Sequence, residues 1–330
     1  MTVRNMLWEI ARSEKKQALP ILSFPASQKM NVTVEQMVTD AELQAKTMEI
    51  IAHETATIAA VSLMDLSVEA EAFGASVRFF DDEPPVITGQ LISCEEEAQA
   101  LEVPSLEKGR ALTCVEGVRL AKERIQDKPV MAGMIGPYSL AGRLMDVTEI
   151  MYMCYDEPEV VHIVLEKATQ YLIQYGNAMK QAGADGIMMA EPLAGILSPD
   201  MAAEFSEPYV KRIIDALRTD DFAFIYHNCG NSVPNMLDGI FSLGADAYHF
   251  GNAIDMLSLM EKAPEDALCM GNIDPAAHFT NGTAEEMTAA TKDLMAKCGH
   301  FRNFVPSSGC DIPAHAKWEN IQAFFAALEN

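Results

Sequence analysis

Three residues of the sequence have the types and the spacing of a metal site. His227 and Cys229 lie two positions apart at the end of the apolar run 222–226, and the period of two in a strand would point both side chains the same way. Cys310 follows another apolar run further along the chain. One imidazole and two thiolates suit zinc, and three protein ligands leave a fourth position open for a reacting group. The spacing equally fits two ordinary strand-end residues and an unrelated buried thiol, so both interpretations stay open at this point.

Eight short apolar runs, bounded by polar or turn residues, are candidate strands that would position these side chains. Amphipathic helical patterns separate most of the runs, for example around 160–175 and from Ser198 to Leu217. Strands that alternate with helices pair in parallel through right-handed crossovers, so the sequence predicts an α/β fold, a (β/α)8 TIM barrel. The active site of such a barrel lies at the carboxyl ends of the strands. The runs are 19–24, 57–64, 129–135, 186–190, 222–226, 247–250, 268–270 and 301–305.

Two segments fall outside the alternation of strands and helices. The first segment, about 1–18, is predicted to form a helical extension before the barrel. Residues of about 73–92 are predicted to form a hairpin-like excursion over one mouth of the barrel. No linker or change of composition divides the chain, so we predict a single barrel domain over 1–330. Gly183 and Gly244 each begin a Gly-Ala-Asp motif, where a helix should end and a buried strand begin.

The composition restricts the classes of function. The chain has 330 residues, 49% of them hydrophobic, and its 24 basic and 48 acidic residues give a formal net charge of −24. Such a charge repels phosphate backbones and anionic lipid, so binding to nucleic acid or to a membrane surface is disfavoured. Nothing in the sequence reaches the roughly 18 apolar residues of a membrane span, and the start lacks a signal core, so a cytoplasmic location is expected. The seven cysteines have no framework spacing, which argues against a disulfide scaffold.

Several segments resemble the uroporphyrinogen decarboxylase superfamily. The segment 308–324, which begins Ser-Gly-Cys-Asp-Ile-Pro, resembles the last barrel strand and helix of the superfamily. The start of the chain, the segment 67–74 and the segments 271–275 and 281–286 resemble other parts of it. This resemblance implies the superfamily's barrel over most of the chain.

Within that superfamily the chain departs from the true decarboxylases. They carry an arginine-rich segment after the first strand to hold the substrate's carboxylates, whereas 24–30 here is Phe-Pro-Ala-Ser-Gln-Lys-Met. They also lack the His-x-Cys pair. The set of His227, Cys229 and Cys310 instead resembles the zinc-dependent methylcobamide:coenzyme M methyltransferases and their relatives, and this resemblance implies that the three residues bind zinc.

The resemblance to that branch implies an enzyme that moves a methyl group between a methylated corrinoid protein and a small thiol. Coenzyme M, whose use points to methanogenesis, is the thiol that the resemblance most suggests. Zinc would deprotonate a thiol whose pKa is about 8.5, and the thiolate would displace the methyl group from cobalt. Because the chain has no cobalamin-binding His motif, the corrinoid is expected on a separate partner protein. Three alternatives stay open: another thiol such as homocysteine, a tetrapyrrole decarboxylase, and a noncatalytic protein that binds a corrinoid or a metal.

Glu191 is the candidate catalytic residue outside the metal set. It follows the run 186–190 and is expected at the barrel mouth. The resemblance to the related methyltransferases includes an acidic residue at this place. Its carboxylate would occupy the open zinc position at rest or orient His227, and the alternative is a solvated loop carboxylate. Glu69 and Glu71 are expected to be structural, and His249 is expected to be a satisfied core or rim histidine.

Overall fold

The computed structural model describes residues 2–329; Met1 and Asn330, the two ends of the predicted domain, lie outside this range. The described residues form nine strands: β1 Ala60–Val61, β2 Ser76–Arg78, β3 Val86–Thr88, β4 Val130–Ile135, β5 Gly186–Ala190, β6 Ala223–Asn228, β7 Ala247–Phe250, β8 Cys269–Ile273 and β9 Phe304–Ser308. They also form sixteen α-helices: α1 Val3–Arg12, α2 Ala26–Met30, α3 Val34–Thr39, α4 Ala41–Glu54, α5 Val68–Ala72, α6 Glu95–Ala100, α7 Ala111–Arg124, α8 Pro137–Met145, α9 Val147–Asp156, α10 Pro158–Gln181, α11 Pro199–Phe205, α12 Glu207–Leu217, α13 Leu237–Ser242, α14 Met256–Met260, α15 Ala284–Cys298 and α16 Trp318–Glu329. Two 3₁₀ segments, Leu193–Ile196 and Val233–Asn235, and a π-helical segment, Pro275–Asn281, complete the elements.

Seven of the strands form one curled sheet in which every pairing is parallel. Their order is β1-β4-β5-β6-β7-β8-β9, so each strand lies beside the next one of the sheet along the chain. Helices connect the strands, as parallel crossovers require. The predicted α/β class, with parallel strands that alternate with helices, is therefore confirmed.

The first predicted strand, 19–24, is not a regular strand in the structure, and the prediction was wrong there. Pro20 and Pro306 lack the N–H groups that a continuous ladder between this segment and β9 would need. Residues 18 and 19 still bind both edges of the sheet. The N–H of Leu19 donates to the carbonyl oxygen of Pro306 in β9, and the N–H of Ile58, just before β1, donates to the carbonyl oxygen of Ala18. An irregular segment thus occupies the place between the two edge strands.

Alternating side chains divide the sheet into an inner and an outer row. The inner row includes Ala223, Ile225 and Val305, which pack inside the curl with apolar residues of neighbouring strands. Residues between them, such as Phe224 and Tyr226, pack outward in the large core that the helices cover. The period of two therefore decides whether a residue at a strand end faces the interior of the curl or the helices.

Helix α1 closes the amino end of the curled sheet. Its buried residues Val3, Leu7 and Ala11 belong to the same apolar cluster as the first residues of β6 and β7. The guanidinium Nε of Arg4 lies 3.5 Å from a carboxylate oxygen of Asp246, immediately before β7. The helical extension predicted over about 1–18 is thus helical only as far as Arg12, since Ser13 ends the helix in an extended conformation.

The predicted excursion contains a short antiparallel hairpin of β2 and β3. Carbonyl oxygens of Phe80 and Asp81, in its turn, accept hydrogen bonds from the first N–H groups of α3. The ring of Phe79 packs against the apolar cluster that includes Phe24 and Ala314. The hairpin is therefore attached near the carboxyl ends of the first and last barrel segments.

Local backbone signals explain where the connecting helices end. Gly183 and Gly244 have φ values of +97° and +77°, a left-handed conformation that favours glycine, and β5 and β7 begin three residues after them. The helix expected from Ser198 to Leu217 is instead two helices, α11 and α12. Its break lies at Ser206 (φ −123°), since Pro208 lacks the N–H that would continue the first helix. Among residues 2–329, no helix has the length and apolar character needed to cross a membrane.

Candidate metal centre

Strand β6 directs His227 into the curl of the sheet. All six residues of the strand are buried, and His227 continues the inner row two positions after Ile225. In register it pairs with Ala190 on one side and with His249 on the other. Cys229 follows two positions later, at the carboxyl end of the strand. The sequence prediction that the period of two brings these side chains together holds in the structure.

Cys310 reaches the same place from the loop after β9. The N–H of Gly309 donates to the carbonyl oxygen of Ile273 at 2.7 Å, and the N–H of Ile312 donates to that of Ile21 at 3.1 Å, so the loop is held on both sides. Gly309 lies so close to Asn252 that a Cβ atom would come within 2.6 Å of its backbone nitrogen. The close approach of these loops therefore depends on glycine.

The three candidate ligands form one cluster. Their ligand atoms all lie within 4.8 Å of one another, and the Sγ atom of Cys310 is 3.6 Å from Nε2 of His227. Tetrahedral zinc, at about 2.3 Å from sulfur and about 2.0–2.1 Å from nitrogen, would separate two such atoms by about 3.6 Å. The residues present therefore fit a zinc ion, with one coordination position left over.

The two thiols of the cluster are coupled. The neighbouring Cys310 lowers the pKa of Cys229, whereas the neighbouring Cys229 raises the pKa of Cys310 to about 12. Burial acts to raise both pKa values, and for Cys310 it adds to the effect of Cys229. A metal ion that binds the pair would displace the thiol protons.

A chain of hydrogen bonds lies directly behind His227. Its Nδ1 atom is 2.8 Å from Nδ1 of His249 and 3.3 Å from the carbonyl oxygen of that residue. Nε2 of His249 is 2.7 Å from Oγ of Ser307, which is 2.6 Å from the carbonyl oxygen of Leu19. Burial, and to a smaller extent the neighbouring His227, holds the pKa of His249 well below its usual value. His249 is therefore a satisfied core histidine, as expected. The sequence analysis did not identify Ser307 as its hydrogen-bond partner, although Ser307 lies on the inner row two positions after Val305.

Glu191 is not part of the cluster of ligand atoms. It follows Ala190, an inner-row residue, and its carboxylate lies on the outer side of the sheet, where Oε1 accepts a hydrogen bond of 2.9 Å from the N–H of Ser139 at the start of α8. The side chain is fully buried, so it is not a solvated loop carboxylate, and Oε2 has no partner within residues 2–329. Burial raises the pKa of Glu191 to about 8, although the N–H groups of Ser139 and Tyr138 act in the opposite direction. The alternation of rows along β5 was the sequence signal for this orientation.

Glu69 and Glu71 bind groups of the protein itself. Oε1 of Glu69 accepts a hydrogen bond of 3.0 Å from the N–H of Ile135, and burial raises its pKa to about 7. The carboxylate of Glu71 lies 2.7 Å from Nε of Arg110, which also pairs with Asp65 at 2.5 Å. Both glutamates have the structural surroundings that were expected.

Comparison with known proteins gives a family and two kinds of relative. A family model described as uroporphyrinogen decarboxylase (URO-D) matches residues 15–330. The methylcobamide:CoM methyltransferase MtbA of Methanosarcina mazei is 28% identical over 345 residues, which cover 100% of this chain and 98% of the relative. The uroporphyrinogen decarboxylase of Vibrio cholerae is 28% identical over 289 residues, 82% of this chain and 78% of the relative.

A solved structure has the same fold. It is a methyltransferase from Methanosarcina mazei that superposes with a TM-score of 0.86, at 24% sequence identity, over 97% of each chain. At this level of identity the likeness establishes the fold.

Proposed function

The chain belongs to the uroporphyrinogen decarboxylase family, and we propose that within this family it is a zinc-dependent methyltransferase. It would move a methyl group between a methylated corrinoid protein and a small thiol, with coenzyme M as the leading candidate. The observation that carries the proposal is the cluster of His227, Cys229 and Cys310, whose separation of 3.6 Å between sulfur and nitrogen suits tetrahedral zinc.

The residues of the site determine what chemistry is available there. A zinc ion held by these three residues would lower the pKa of a substrate thiol and keep its sulfur nucleophilic. The thiolates of Cys229 and Cys310 offset a divalent charge, so a third thiolate would carry net negative charge. In the overall reaction a C–S bond forms, the C–Co bond breaks with its electron pair left on cobalt, and the thiol proton passes to solvent. Ile225 and Val305, one inner-row position below His227 and Ser307, form a buried apolar floor beneath the site.

Decarboxylation of a tetrapyrrole is the second candidate, since the family and the relative from Vibrio cholerae favour it. The segment 24–30 argues against it. Nε2 of Gln28 donates to the carbonyl oxygens of Ala314 and Ala316, and Nζ of Lys29 pairs with Glu54 at 2.9 Å and lies over the ring of Trp318. Its two long polar side chains are thus committed to groups of the protein rather than to substrate carboxylates.

Turnover of free methylcobalamin with a panel of thiols tests the proposal. Coenzyme M, homocysteine and 2-mercaptoethanol would be compared by the absorbance of the corrinoid, with release of CO₂ from uroporphyrinogen measured in parallel. We expect demethylation of cobalt with coenzyme M fastest and no CO₂. Demethylation that is faster with homocysteine would reassign the thiol, and CO₂ release alone, or no turnover at all, would contradict the methyltransferase.

Metal content tests the site independently of the thiol. We expect about one zinc per chain in the parent and loss of most of it in Cys310→Ala, because two ligands hold zinc far less tightly than three. Cys298→Ala is the matched control, since this cysteine is buried at the end of α15 and should leave the zinc in place. Full zinc retention in Cys310→Ala would remove that residue from the site.

A further inference from the structure

The hydrogen bonds behind His227 have only one consistent direction. They run from the carbonyl oxygen of Leu19 through Ser307 and His249 to the imidazole of His227, and all of these residues are buried. A carbonyl oxygen can only accept, so the single hydroxyl proton of Ser307 is donated to Leu19 at 2.6 Å. Oγ of Ser307 must then accept from Nε2 of His249, at 2.7 Å.

The same reasoning fixes the proton on each imidazole. His249 is completely buried and forms no ion pair with a carboxylate of residues 2–329, so a charged ring would be uncompensated. With its proton on Nε2, a neutral His249 offers a lone pair at Nδ1. Nδ1 of His227, 2.8 Å away, must therefore carry a proton.

A second acceptor supports this assignment independently. The carbonyl oxygen of His249 lies 3.3 Å from the same Nδ1 atom of His227, and it too can only accept. Two acceptors thus face Nδ1 of His227 from one side. On the other side of the ring Nε2, 3.6 Å from the sulfur of Cys310, is left without a proton.

We propose that His249 and Ser307 are positioning residues that hold His227 in the Nδ1–H tautomer and so keep its Nε2 lone pair directed at the metal site. This inference rests on the proposed function, because it gives His227 the form in which imidazole binds a metal. In the opposite tautomer Nε2–H would point at Cys310 and block ligation. The relay is anchored in the main chain at Leu19, so it can hold the tautomer before any metal binds.

The tautomer can be measured directly in the metal-free, full-length protein. Long-range ¹H–¹⁵N spectra of protein labelled with ¹⁵N-histidine distinguish the two ring nitrogens, and the chain has seven histidines, which His227→Asn would help to assign. We expect the proton of His227 on Nδ1 at neutral pH. A proton on Nε2 would overturn the proposal, and this result does not depend on zinc binding or on activity.

Substitutions then test whether the relay matters for the metal. His249→Phe removes the ring that accepts from His227 and donates to Ser307, and it leaves the main-chain carbonyl of residue 249 in place. This variant should weaken zinc binding, measured by competition with a chelator, about 10–100-fold. His249→Gln should restore most of the affinity, because its amide supplies one acceptor for His227 and one donor for Ser307. Ser307→Ala should give an intermediate loss together with a mixed tautomer of His249.

A histidine far from the relay provides the control for these substitutions. His162→Phe, on α10 and stacked on Phe205, should leave zinc affinity unchanged. Wild-type affinity in a folded His249→Phe variant would overturn the proposal, as would equal losses in His249→Phe and His249→Gln. A parent protein that binds no zinc would contradict the proposed function alone, since the spectra of the metal-free protein still decide the direction of the relay.

Discussion

Glu191 and the candidate metal ligands lie on neighbouring strands but face opposite sides of the sheet. Ala190 pairs in register with His227 and shares its inner row, so the next residue, Glu191, faces α8 and accepts a hydrogen bond from Ser139. A carboxylate at the start of a helix is favoured by the helix dipole, although burial costs more than this gains, as its raised pKa shows. The geometry favours a structural role, while zinc ligation by Glu191 stays a prediction.

Glu191→Gln separates these two roles. The amide oxygen can still accept from Ser139, and the parent side chain, with a pKa of about 8, is largely protonated at pH 7, so a structural Glu191 tolerates this change. We expect unchanged zinc content and an unchanged X-ray absorption spectrum at the zinc edge, with two sulfur ligands before thiol is added. Loss of an oxygen ligand from the resting spectrum, together with altered thiol affinity, would instead establish Glu191 as a zinc ligand.

Glu69 should make the stability of the protein depend on pH. In the folded protein the carboxyl of Glu69 keeps its proton up to about pH 7, whereas in the unfolded chain it releases the proton at about pH 4.3, so folding binds a proton between these values. The free energy of unfolding contributed by this group is therefore fully present below about pH 4 and is lost as pH rises through about 7. Glu69→Gln keeps an acceptor for Ile135 and removes the charge, so the variant should gain on the parent by up to about 3 kcal/mol between pH 5 and pH 8.

Urea unfolding at these two pH values measures the effect of Glu69→Gln. Exposed Glu9 provides the control, because Glu9→Gln removes the same charge from a side chain that is not buried. Its free energy of unfolding should change between the two pH values by the same amount as that of the parent. If the free energy of unfolding of Glu69→Gln also changes with pH by the same amount as that of the parent, the carboxyl of Glu69 is ionised in the folded protein.

The turn before β7 depends on a left-handed backbone conformation at Gly244. Gly244 has a φ of +77°, and a Cβ atom added there would meet nothing within 4 Å, so the cost of a side chain is purely conformational. We expect Gly244→Ala to lower the free energy of unfolding by about 1–2 kcal/mol. Gly244→Asn should cost clearly less, because asparagine tolerates left-handed backbone, and thermal unfolding of the two variants provides the comparison. Equal losses would point to a cause other than backbone strain.

The alternation of elements was predictable from the sequence because it follows from local patterns. Apolar runs, Gly-Ala-Asp motifs and helical periodicity indicated the parallel α/β fold and placed His227, Cys229 and Cys310 at the carboxyl ends of strands. The segment 19–24 has the same apolar pattern but lacks a regular ladder, since Pro20 and, on the neighbouring strand β9, Pro306 both lack an N–H group. Which side chains meet across strands, such as His249 and Ser307, depends on register, and register is a property of the whole sheet rather than of any one run.

The two ends of the curled sheet have different tasks. At the carboxyl end, loops held by glycine contacts and by the hydrogen bonds behind His227 present polar groups to one site. At the amino end, helix α1 buries Val3, Leu7 and Ala11 against the first residues of the strands. In (β/α)8 barrels the carboxyl end carries the chemistry and the amino end contributes stability, so we expect changes at α1 to leave the candidate metal site unaffected.

Leu7→Ala tests this separation across the whole molecule. Leu7 is buried in the apolar cluster at the amino end, and removing its side chain should leave a cavity that lowers the free energy of unfolding by about 2–5 kcal/mol. Zinc affinity, measured well below the unfolding temperature, should stay equal to that of the parent, because the inner apolar row of the sheet lies between Leu7 and the candidate ligands. Glu9→Ala, an exposed change on the same helix, should alter stability by less than about 0.5 kcal/mol. A fall in zinc affinity in folded Leu7→Ala would show that packing at the amino end is coupled to the geometry of the candidate metal site.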